Sequence, residues 1–390
     1  MKNKIKNMDK FLFLLIILYT ILGLVMLFSA SSMTAVLQYG QSESFFFVRQ
    51  LVFVIGAYII GFIILFLPNK TITLIKKSNK LIAIAAVTVL FLTKFFGKEI
   101  NGATSWLDIG PINLQPSEFV KTMIILFIAF SFSNPNKMFK NYKFLMPFTI
   151  SIVCIFLIAM QPDLGTAMIL ACICFLMFLC LPIKNKKHTK LKLIVGVFAT
   201  ICACLFFFGE GILKNTNLLT KEQLSRLTYK NPCTRYSEKT GYQVCNGFIA
   251  INNGGLFGAG LGNSTQKYLY LPEAYTDFIF PIIVEELGSI ISSLIIVGFV
   301  IMLFRILKIG KNAETLTGSL IAYGTFGLIV AHLLINLLGV MAIIPLTGVP
   351  LPFLSSGGSF LANLIVLLFI TERVCIDSKN KKLKREIENL

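Results

Sequence analysis

Segments of about 18–25 apolar residues recur along the whole chain, each long enough to cross a hydrocarbon core of about 30 Å. Ten such segments are read, at 11–30, 48–67, 81–97, 117–133, 145–161, 164–182, 192–209, 276–304, 316–338 and 357–375. The pattern predicts an all-α fold, a polytopic membrane protein with about ten transmembrane helices. No Ser/Gly-rich linker and no internal repeat divides it, so residues 1–376 read as one membrane domain and 377–390 as a basic tail. The connection at about 210–275 is far longer than the 2–8 residues usual between bundled helices, and long loops tend to carry function. Two other connections stand out. Residues 99–121 hold the one Trp and three acids, and residues 345–359 hold three prolines and three glycines with few charges. A segment of that kind cannot face lipid with its backbone unsatisfied, so it should fold against protein or line a cavity.

The composition agrees: 56% of the 390 residues are hydrophobic and 14% charged, well above the apolar share of a soluble domain. A net charge of +18 would suit nucleic acid, but its placement excludes that partner. Most of the 36 basic residues fall at the N-terminus, in alternate loops (70–80, 137–143, 184–192, 305–311) and in the tail. Short loops on the opposite side, 31–47, 162–163 and 339–356, are predicted outer segments. The positive-inside rule then places both termini in the cytoplasm and the 210–275 loop outside. The first span exceeds a signal-peptide core of about 7–15 residues and reads as an uncleaved anchor.

Ionisable groups inside spans are costly and mark pathways or reactive sites. Asp277 stands at the mouth of the 276–304 span, with Glu285 and Glu286 inside it, and the spacing puts Asp277 and Glu285 on one helix face. Lys267, Tyr268, Tyr270, Glu273 and Tyr275 precede it, and a carboxylate beside aromatic surface and cations suits deprotonation of a sugar hydroxyl. The alternative is an N-cap of that helix. Glu118 and Lys121 are an i,i+3 pair at the outer start of a span, either structural or lining a polar cavity. Asp163 in QPDLGT reads as a helix cap, and His332 with Asn336 as interhelical hydrogen bonding. Gly255, Gly258, Gly260 and Gly262 follow no βαβ strand, so tight turns rather than a dinucleotide site are expected. Of nine cysteines, Cys233 and Cys245 lie in the long outer loop, where a disulfide could form. No HExxH, GxSxG or Cys/His cluster appears, which argues against a zinc protease or an α/β hydrolase.

Six motifs in order, with the right spans between them, resemble the SEDS family (shape, elongation, division and sporulation; RodA/FtsW/SpoVE-type). They are FFFVRQ (45–50), NGATSWLDIG with LQPSEFVK (101–121), QPDLGTA (161–167), GLFGAGLGNSTQKYLYLPEAYTDFIF (255–280), EELG (285–288) and GVPLPFLSSGGS (348–359). GYQV (241–244) and the glycine run look more like the FtsW and sporulation branch. The resemblance implies a peptidoglycan glycosyltransferase that polymerises lipid II, the undecaprenyl-linked disaccharide-pentapeptide, at the outer face of the bacterial cytoplasmic membrane. It implies a class B penicillin-binding protein (transpeptidase) as partner, within the division or elongation machinery. By motif position the family's essential aspartate falls on Asp277, its glutamate and lysine on Glu118 and Lys121, and its loop tryptophan on Trp106. Tyr275 stands where histidine is usual and Pro281 where alanine is usual.

Asp277 is then the expected base, with Lys121, Arg49, Arg226 and Lys267 as candidate cations for the pyrophosphate. A divalent cation could share that task, although no ligand cluster identifies one. Two other classes stay open: a lipid II flippase or transporter, and a non-catalytic scaffold of the cell-wall synthesis machinery.

Overall fold

The computed structural model describes residues 4, 6–100, 103–109, 112–139, 143–182, 189–197, 200 and 231–388. Helices α1 (Lys10–Leu37), α2 (Phe45–Phe66), α3 (Asn69–Lys77) and α4 (Asn79–Phe96) come first. A small antiparallel meander follows, of β1 (Lys98–Ile100), β2 (Ala103–Ile109) and β3 (Ile112–Leu114). Next are α5 (Pro116–Ser131), the single turn α6 (Pro135–Met138), α7 (Met146–Ala159) and α8 (Leu164–Leu179). After a helical stretch at 189–197 come α9 (Lys239–Gly254), α10 (Ile279–Lys311), α11 (Leu316–Val340) and α12 (Gly358–Glu388). Among the described residues, α1, α2, α4, α10, α11 and α12 are long and apolar enough to cross a membrane. The shorter α5, α7 and α8 coincide with three more predicted spans. The predicted span at 192–209 lies mostly outside the described residues.

Burial separates centre from periphery. In α11 and α12, 72% and 78% of the apolar window is buried, against 39% or less in α1, α2, α4 and α10. Leu14, Leu18, Ile21, Val25 and Phe28 of α1, at steps of four and three, form one exposed apolar stripe. Such a stripe on a helix that is apolar all round faces lipid. Where α2 meets α12, Gly61 lets the backbone approach the Phe369 ring, which packs edge-on against Phe13 and Phe62 at 6.0 and 5.1 Å. Small residues at such crossings are the usual means of close helix packing in membranes.

Both termini lie at one end. Asn7 donates to Asn380 (2.7 Å), Asp9 caps α1 and pairs with Arg305 (2.6 Å), and Arg373 donates to the carbonyls of Leu65 at the end of α2 and of Leu67 just beyond it (2.7 Å each). Residues 377–388, expected as a basic tail, are helical and form the end of α12.

At the opposite end α10 is broken at Gly288, whose φ of 82° is out of reach for most side chains. The 255–262 loop fills the break. Ala259 and Gly260 donate to the carbonyls of Glu285 and Glu286 (2.8 and 3.0 Å), and Ser289 donates to Gly255 (3.0 Å). A Cβ on Gly258 would sit 2.3 Å from the Glu286 carbonyl. The glycine run therefore makes tight turns that let backbone lie against backbone.

The described part of the long connection at 210–275 is not a loop throughout. A 3-10 turn (Pro232–Arg235) is bonded through Cys233–Cys245 to α9, with Cα atoms 4.9 Å apart. The bond closes a loop with a sequence separation of 12, which is worth about 3 kcal/mol by loop entropy. Cys233→Ser is thus expected to loosen the turn from α9, seen as faster proteolysis between 231 and 245. Alkylation of the denatured wild type should count two fewer thiols before reduction than after.

Candidate active site

Three segments singled out in the sequence, 99–121, 210–275 and 345–359, contribute described residues to one cavity of about 1180 Å³ at the end away from the termini. Trp106 comes from β2, Glu118 from α5, Gln243 from α9, Asp277 from the approach to α10, and Gly348 and Pro350 from the proline-rich segment. Arg49 and Phe53 of α2 complete the wall.

Asp277 is 7% exposed and lines this cavity. It neither caps α10 nor shares a helical face with Glu285, because the helix starts at Ile279 with Phe278 in the cap position. The N-cap alternative therefore falls away. Its backbone is fixed instead: Asn336 of α11 donates to the carbonyls of both Asp277 and Val349 (2.7 and 2.8 Å). One residue earlier, Thr276 donates to Glu273 (2.6 Å) and more weakly to the Asp277 carboxylate (3.3 Å). Ser356 donates to the Tyr275 carbonyl (2.8 Å). The Tyr275 ring packs on Phe46 at 4.6 Å. Burial, then a hydrogen bond with Tyr39, pushes its phenol up, so Tyr275 stays protonated at neutral pH.

Glu118 and Lys121 form a buried pair at 2.7 Å, but only Glu118 reaches the cavity. Lys121, expected among the substrate-binding cations, is 0% exposed and its ammonium touches His332 Nε2 (2.9 Å). Lys267 also departs from expectation. It is buried against Glu286 (3.1 Å), with Ser29 bridging to the same carboxylate (2.7 Å), and does not line the cavity. Glu285 is equally committed, accepting from Ser264, from Thr265 Oγ1 (2.8 Å) and from Asn253 (3.2 Å). These two acids anchor the glycine loop rather than mark a pathway. Arg226 lies outside the described residues. Of the expected cations among the described residues, Arg49 is the one found on the cavity wall.

Asp163 caps α8 by accepting from Thr166 N (3.1 Å), and its other oxygen accepts from Gln115 (2.9 Å), which ties α8 to the start of α5. Gln50, not singled out from the sequence, clamps the 355–357 turn by donating to Ser355 O (3.3 Å) and accepting from Gly357 N (3.2 Å). Its signal was a polar side chain inside an apolar span, next to Arg49. Among the described residues no group of three or more His, Cys, Asp or Glu side chains is placed to hold a metal ion.

Fold and site together define a polytopic helical membrane protein with an acid-bearing cavity at one end of its bundle. The chain belongs to the FtsW/RodA/SpoVE family, described as cell cycle proteins, whose model matches residues 9–380. It is 35% identical to the probable peptidoglycan glycosyltransferase FtsW of Bacillus subtilis (strain 168), over 100% of this chain and 96% of that one. It is 33% identical to stage V sporulation protein E of the same organism, over 94% and 96%. Solved structures share the fold. A chain from a peptidoglycan synthase complex, described as coordinating polymerization and crosslinking, superposes with a TM-score of 0.72 at 22% identity, covering 95% of this chain and 98% of that chain. The rod shape determining protein RodA of Thermus thermophilus gives 0.65 at 24%, covering 95% and 97%.

Proposed function

We propose that this chain is a peptidoglycan glycosyltransferase of the cytoplasmic membrane, polymerising lipid II in the cavity at the outer ends of its helices. The observation that carries the reading is the placement of Asp277, Glu118 and Arg49 on one wall system built from all three outer segments. Asp277 accepts the proton of the acceptor sugar's 4-hydroxyl as that oxygen attacks the donor anomeric carbon. The bond from that carbon to the phosphate oxygen breaks, and the lipid pyrophosphate leaves with the electron pair. This leaving group needs little protonation, so one base suffices, unlike the two carboxylates of an inverting glycosidase. Arg49 offsets the charge that develops on the pyrophosphate. The lipid tail runs down the apolar side of the cavity past Phe53 and Phe360.

Relatives named as peptidoglycan glycosyltransferases support the activity, and the structural neighbour from a synthase complex supports a crosslinking penicillin-binding protein as partner. The test is purified protein with labelled lipid II, with and without that partner. Glycan strands are the expected product. Translocation without polymer would establish the transporter reading, and neither outcome the scaffold.

A further inference from the structure

We infer that His332 is a positioning residue for glycosyl transfer, holding the Lys121 ammonium against Glu118 and joining that pair to the segment that faces Asp277. The inference rests on the polymerase reading of the cavity. His332 is fully buried on α11, its ring stacked on Phe360 with centroids 4.1 Å apart. An ammonium has only donors, so Nε2 at 2.9 Å from Lys121 must accept. Nδ1 then carries the proton and donates to the Pro350 carbonyl (3.1 Å). The imidazole is fixed at three places and in one tautomer.

The geometry links two walls of the cavity. On one side Lys121 meets Glu118 (2.7 Å), and the Glu118 carbonyl accepts from Asn363 of α12 (2.8 Å). On the other, Pro350 follows Val349, and Asn336 joins Val349 to Asp277 through their carbonyls. His332 and Asn336 are one turn apart on α11, so a single helix face sets the spacing between the Glu118 pair and Asp277. A buried ammonium with one carboxylate is short of acceptors, and the imidazole nitrogen supplies the second. Packing on Phe360 alone would need a ring, not an acceptor and a donor at these two points.

The chain has two histidines, so ¹⁵N-histidine labelling of the full-length protein with His188→Gln leaves one imidazole to observe. It is expected in the Nδ1-protonated tautomer, with an Nε2 resonance that moves in Lys121→Met. An Nε2-protonated ring, or no response to that change, overturns the inference. In the polymerisation assay with the partner, His332→Gln keeps one acceptor and one donor on its amide and should retain clearly more activity than His332→Phe. His332→Phe keeps the stacking but neither bond. It should lose about tenfold or more in kcat with little change in KM, because misplacing a supporting group mainly affects the transition state. A folded His332→Phe that polymerises at the wild-type rate overturns the inference alone. A wild type that makes no polymer overturns the polymerase reading and leaves the spectroscopic result intact. If His332→Phe does not fold, the tautomer and its response to Lys121→Met decide.

Discussion

Asp277→Asn is expected to abolish glycan polymerisation while the protein reaches the membrane, keeps its melting temperature in detergent and still copurifies with its crosslinking partner. The loss should be at least the 10²–10⁴-fold typical of removing a general base. Stability should hold because the turn is fixed through main-chain atoms: Asn336 and Ser356 grip the carbonyls of Asp277 and Tyr275. The amide is close in size to the carboxylate and can still accept the long bond from Thr276. Asp277→Glu offers a second reading of the same site. It keeps the charge but moves it by one methylene, and a displacement of about 1 Å can cost on the order of 10²-fold. Both variants are compared with wild type in single-turnover assays with labelled lipid II. Wild-type glycan synthesis by purified Asp277→Asn would remove the base from the mechanism. A protein that fails to accumulate would instead make the residue structural.

The spanning helices were legible because a membrane imposes length and apolarity together, and both can be read directly from residues such as 11–30 or 316–338. The acid at 277 stood out for the complementary reason, that charge at a span is costly. Helix α9 was hidden. Its sequence KTGYQVCNGFIAINNG mixes glycine and asparagine with a modest apolar stripe, and its stability comes from packing on α10, where a Cβ on Gly254 would meet the Val284 carbonyl at 2.1 Å. The meander at 98–114 leaves no alternating pattern to read because two of its strands have three residues each. Ion-pair partners were the least legible feature. Lys267 sits ten residues before Asp277 but belongs to Glu286 on α10, and Lys121 finds its imidazole 211 residues away. Such choices are made by how helices cross, which local pattern does not encode.

That difference for Lys267 yields the second large effect. Were its ammonium a ligand for pyrophosphate, Lys267→Met would leave a folded protein with a raised KM. The structure instead buries both partners, at 4% and 0% side-chain exposure, and adds Ser29 and the Gly262 carbonyl around the ammonium. Removing the cation alone strands the Glu286 carboxylate in a low-dielectric interior, a change that costs about 3–5 kcal/mol when a buried pair is broken. The damage should spread to the glycine loop, because the Glu286 carbonyl also accepts from Gly260 and the neighbouring Glu285 holds Ser264 and Thr265. Lys267→Met is therefore expected to lower the melting temperature by several degrees and to reduce the yield of monodisperse protein. The double variant Lys267→Met/Glu286→Gln removes the stranded charge and should recover most of the loss, a non-additivity that contacting residues show and distant ones do not. Equal melting temperatures for Lys267→Met and wild type, with KM raised, would return this lysine to the substrate.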